Sequence, residues 1–117
     1  MGTQQNDFNE IRMKIGRKIK QVFGDRSGCL EFFDIVEEAG HWAFKIRFVA
    51  YNYFVIVFNY ELDIIGFSIE AGQENKICIM DEHTCYSNTD LDSYIKKVID
   101  EIELRIPDKY LRAHGWI

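Results

Sequence analysis

Proline is nearly absent from this chain, with one in 117 residues, so there is little room for stiff or flexible linkers. A single α+β domain spanning residues 1–117 is expected, because that length supports one core and does not divide into two. Cysteine is scarce and odd in number. Cys29, Cys78 and Cys85 therefore argue against a disulfide framework and are read as thiols. Cys29 and Cys78 lie in strand-like runs and read as small buried hydrophobes, whereas Cys85 lies in a polar stretch and reads as exposed. No apolar run approaches the roughly 20 residues that cross a bilayer, and the first seven residues are polar rather than a basic lead into an apolar segment. A cytoplasmic protein with no membrane partner is the expectation.

Recognisable reaction chemistry is lacking too. Asp81, Glu82, His83 and Cys85 offer oxygen, nitrogen and sulfur within five residues. A zinc site needs a second ligand pair, however, and Cys78 or His114 supplies none at CxxC or HxxxH spacing. Cys85 with His83 has no oxyanion signature or glycine-rich elbow beside it. The reading is a polar surface loop, with no catalytic residues, metal or cofactor.

What the chain does have is aromatic rings and an uneven charge. Aromatics make up 15% of residues and the net charge is −5. Residues 1–30 carry six basic and three acidic side chains, whereas residues 61–103 carry three and eleven, a local charge of −8. Acid at that density repels nucleic acid and steers basic partners.

Residues 41–60, HWAFKIRFVAYNYFVIVFNY, first alternate strictly and then become apolar on both sides, as in two neighbouring strands with an aromatic inner face. Before them, Phe8, Ile11, Ile15, Ile19 and Val22 mark an amphipathic helix over 6–23, with Asn6 as N-cap and Gly24 past the end. A first strand over 29–37 places Leu30, Phe32 and Val36 on one face and Phe33 and Ile35 on the other. Further strands are expected at 41–51, 54–58, 64–70 and 76–80, with 81–88 a loop. Short turns between them imply an antiparallel meander of four or five strands. Thr89 opens a second helix through a TDLD capping box, with Leu91, Ile95, Val98 and Ile102 as its buried stripe. Beyond Pro107, Asp108 is expected to cap a short terminal helix over 109–114, and Trp116 to fold back on the core.

Tyr51, Tyr53, Val55 and Val57 look too apolar for an open sheet face, and a homodimer through that face is one way to cover them. Carboxylates at Glu61, Asp63, Glu70, Glu74, Asp81 and Glu82 fall at strand ends and turns. Since alternate turns of a meander share an edge, they are expected to form an acidic rim beside Tyr60 and Tyr86, with the tyrosines as anchors for a basic protein.

In its length, helix-meander-helix order, acidic excess and aromatic strands HWAFKIRF and YFVIVFNY, the chain resembles the small acidic immunity proteins encoded beside bacterial polymorphic or contact-dependent toxins. The resemblance implies a non-enzymatic antitoxin that occludes a basic toxin domain, commonly a nuclease. The competing expectation is a small-ligand-binding or enzymatic α+β domain with a pocket between sheet and helices, into which Trp42, Tyr53 and His41 point.

Overall fold

The computed structural model describes residues 4–72, 75–80 and 84–117. A long helix α1 (Gln4–Phe23) leads into the strands β1 (Glu31–Glu38), β2 (His41–Ala50), β3 (Phe54–Glu61), β4 (Ile64–Glu70), β5 (Lys76–Cys78) and β6 (Thr84–Cys85). Helices α2 (Leu91–Leu104) and α3 (Asp108–Ala113) close the chain. The sheet is antiparallel in the order β1-β2-β3-β4-β5, and the two-residue β6 also pairs with β4. The expected helix, meander and C-terminal helices are all present.

Alternation along β2 sends Phe44, Ile46, Phe48 and Ala50 into one face, where all are buried. That face meets Phe8, Ile15, Ile19 and Phe23 of α1 and Tyr94, Ile95, Val98 and Ile102 of α2 in one hydrophobic cluster. Rings dominate the contact: Phe44 lies 5.9 Å from Phe8 and from Phe58, and 5.3 Å from Tyr60. α1 comes close to the sheet at Gly16, where an added Cβ would stand 2.9 Å from the Phe32 ring. β3 is flanked on both sides, and Ile56, Val57 and Phe58 are buried in succession, as its doubly apolar sequence predicts.

Several expectations are corrected. α1 starts at Gln4, two residues before Asn6. The first strand contains a bulge between Phe33 and Val36, with Asp34 at φ 52°; the extra residue turns Val36 to the side of Phe33 rather than Phe32. The capping box at Thr89 does not form: Asp90 is the N-cap of α2, and Asp92 lies 3.0 Å from Lys18 on α1. Asp108 is the first residue of α3 rather than its cap, which is Pro107. α3 ends at Ala113 with His114 as its C-cap, and Gly115 beyond it takes φ 76° while the Trp116 amide donates to the Leu111 carbonyl at 2.8 Å, as in a Schellman closure.

All three cysteines are exposed. Cys29 precedes β1 at the lip of a groove, and Cys78 sits on the short edge strand β5, so neither has an element over it. The open sheet face is also less apolar than expected. Tyr51 is fully buried on the helical side, edge-on to Trp116 at 5.4 Å, and Tyr53 packs against Tyr110 at 4.7 Å. Val57 belongs to the open face but is 1% exposed, because Arg47 reaches across β3 to Glu70 at 2.7 Å. Arg47 also stands over Phe33, as does Lys45, which pairs with Asp34 at 3.3 Å. That face carries charge pairs laid over Phe33 and Val57.

Candidate functional site

Two hairpin turns meet at one end of the sheet. The first joins β1 to β2 through Ala39 and Gly40, the latter at φ 77°, and its register sets Glu38 opposite His41 and Glu37 opposite Trp42. The second joins β3 to β4 through Leu62 and Asp63 alone, at φ 51° and 70°. Two left-handed residues in a two-residue loop match the sheet twist, but the loop is usually made of Asn and Gly. Leu62 is therefore strained, and it is 56% exposed.

Neighbouring groups hold that turn in place. The Leu62 amide donates to the Trp42 carbonyl at 3.1 Å, and the Tyr86 amide to the Asp63 carbonyl at 2.7 Å. The Asp63 carboxylate accepts from the Ser87 amide at 3.2 Å and the Ser87 hydroxyl at 2.6 Å. One carboxylate thus ties the β3–β4 turn to the segment before α2. Beside it, His41 Nε2 lies 3.0 Å from Glu61 Oε2.

The floor of this end is aromatic. Trp42 is stacked on Phe8 at 5.1 Å, and Tyr60 is edge-on to Tyr86 at 6.0 Å. Burial, and then the Asp63 charge, raise the phenol pKa of Tyr60 and of Tyr86 above the ordinary value, so both rings stay neutral and keep their hydroxyl protons. Gly40, His41, Trp42, Tyr60 and Leu62 enclose an open concavity of about 250 Å³.

Of the residues expected in the rim, Tyr60, Glu61, Asp63 and Tyr86 come together here. Tyr60, at 4% exposure, is a floor rather than a protruding anchor. Glu70 lies at the far end of the seven-residue β4, about 20 Å away at strand rise, and is paired with Arg47. Glu74, Asp81 and Glu82 lie outside the described residues, as does His83 of the polar loop. Glu37 and Glu38 were not anticipated as part of the site. Both are exposed and without an ion pair among the described residues, and the only hint in the sequence was an acidic pair just before a turn.

Another concavity lies along the sheet edge. Met13, Gly16, Leu30 and Phe32 line an open apolar groove of about 770 Å³ between α1 and β1, with Arg17 and Lys20 at its mouth. It does not contain Trp42, Tyr53 or His41. Tyr53 lies beside Tyr110, and His41 turns to Glu61. No protein-family model, curated protein or solved structure matches the chain, so the site must be read from its own chemistry.

Proposed function

We propose that this chain is a non-catalytic binding protein of the antitoxin or immunity type, which neutralises a basic protein, such as a toxin nuclease domain, by covering it. The observation that carries this reading is the gathering of Glu37, Glu38, Glu61 and Asp63 at one end of the sheet, around the rings of Trp42, Tyr60 and Tyr86. Carboxylates at the ends of β1 and β3 and in the β3–β4 turn steer a basic partner to that end, and the rings supply apolar surface that slows its departure. A net charge of −5 acts in the same direction at longer range.

The test begins with the tagged protein in a lysate of its source, washed at low and at high salt. A stoichiometric basic protein whose recovery falls with salt is expected. Glu37→Gln, Glu38→Gln and Glu61→Gln combined should slow its association about ten-fold at low salt and flatten the salt dependence. An unchanged association rate removes the acidic end from the reading.

The groove between α1 and β1 favours a second reading, in which the chain binds an amphiphilic anion. Its apolar walls suit a hydrocarbon or aromatic body, and Arg17 and Lys20 suit a carboxylate head. Saturable binding of a medium-chain fatty acid, lost in Arg17→Gln, would favour it over the first.

A further inference from the structure

We infer that the concavity between Trp42 and Leu62 is a socket for one arginine or lysine side chain of the basic partner; this rests on the reading proposed above and names the contact at its centre. About 250 Å³ holds one long side chain and no folded element. Its walls select for a stem that is apolar and a tip that is cationic. Trp42, stacked on Phe8 at 5.1 Å, and the buried Tyr60 line it with uncharged rings. Aromatic surface of this kind attracts a guanidinium or ammonium electrostatically while accepting its methylenes.

The surrounding charges agree. Glu37 is the direct cross-strand neighbour of Trp42 and shares its face of the sheet, so a cation lying on the indole has a carboxylate beside it. Glu38 and Glu61 approach from the other face, one on each side of His41. Glu37 and Glu38 have no partner among the described residues, so two negative charges stand uncompensated at the rim. An anion would meet these carboxylates, and a purely apolar chain would leave them unanswered.

Leu62 completes the socket. A bulky residue at φ 51° is held there by the hydrogen bond its amide donates to the Trp42 carbonyl, and it lines the concavity together with Gly40 of the β1–β2 turn. A rigid wall on a strained turn loses little freedom when a side chain enters.

The experiment titrates the ¹⁵N-labelled full chain with Nα-acetyl-arginine amide, Nα-acetyl-lysine amide and, as the uncharged counterpart, Nα-acetyl-norleucine amide. Trp42 and Trp116 are the chain's two tryptophans, so a Trp116→Phe variant assigns the indole resonances. The Trp42 indole and Leu62 amide are expected to shift saturably with the cationic amides and not with the norleucine amide. Glu37→Gln with Glu61→Gln should weaken the cationic binding about five-fold or more. The ratio of arginine to lysine affinity tells which side chain the socket prefers. No shift with either cation, an equal shift with norleucine, or indifference to the paired Gln variant overturns the inference. A Trp42 resonance that moves with protein concentration alone would give the socket to a second copy and overturn it as well. A basic protein captured from lysate while neither amide binds would remove the socket and keep the wider reading. Amide binding without any protein partner would do the reverse.

Discussion

Leu62 occupies a backbone conformation that L side chains other than Asn, Asp and glycine rarely adopt, at a cost of about 1–2 kcal/mol. Leu62→Asn is therefore expected to raise stability by about 0.5–1 kcal/mol in urea melts, since Asn tolerates that conformation. A loss instead would mean that contacts made by the Leu62 side chain outweigh the strain. Tyr51 shares the left-handed region, at φ 59°, and is buried with its hydroxyl donating to Glu103, close to Arg26. Burial first, and then that hydrogen bond, raise its pKa, and burial raises Tyr94 in the same direction. With Tyr60 and Tyr86, four phenols hold their protons more tightly folded than unfolded. A raised folded-state pKa contributes stability in full below about pH 10, the unfolded phenol value, and loses it as pH rises through the folded value. The urea midpoint should thus hold from neutral pH to about pH 9 and fall above about pH 10, with a shallower fall in Tyr51→Phe. A flat alkaline limb would show that these phenols titrate alike in both states.

At the scale of the element, the bulge in β1 decides what the edge strand presents. Asp34, at φ 52°, sits 3.3 Å from Lys45, and Val36 joins Phe33 on the open face because of the extra residue. Asp34→Val should destabilise by about 1–2 kcal/mol because a β-branched side chain does not accept that backbone. Asp34→Gly should stay within a few tenths of a kcal/mol of wild type, because the ion pair it loses is largely exposed. Equal losses in the two variants would assign the cost to the ion pair and not to the backbone. The bulge also shows where reading by alternation stops. Alternation identified β2 and apolar runs identified β1 and β3, yet no residue in EFFDIVEE signals the insertion, so Val36 was assigned to the wrong face. The cap of α2 differs from the expected box because Asp92 answers Lys18 on α1 instead of its own first turn.

Over the whole molecule, charge is arranged by place more than by number. The open sheet face pairs its charges at Arg47–Glu70, Arg47–Glu31 and Lys45–Asp34, while Glu37 and Glu38 at one end have no ion pair among the described residues. Exposed pairs are screened by salt and contribute little, so the urea midpoint is expected to change by less than about 1 kcal/mol equivalent between about 50 mM and 500 mM NaCl. Binding of a basic partner should weaken strongly over the same range. A fold that softens with salt as steeply as binding does would place the surface pairs among the main supports of the structure.

The sequence by itself determined the elements and their order. Helical stripes, alternating strands, glycine at helix ends and turns too short for crossovers are local signals, and local signals are written in neighbouring residues. It also determined that acid would accumulate after residue 60, and that Tyr60, Glu61 and Asp63 would stay together at one tight turn. Only the tertiary structure decided that Glu37 and Glu38 share that end while Glu70 lies at the other, that Tyr86 returns beside Tyr60, that Tyr60 is floor, and that Cys29 and Cys78 face outward. Those outcomes depend on strand register and on which face the helices cover. Register is set by pairing with the neighbouring strand, where one inserted residue in a bulge moves the side chains after it in that strand to the other face, and the covered face is set by helices distant in sequence.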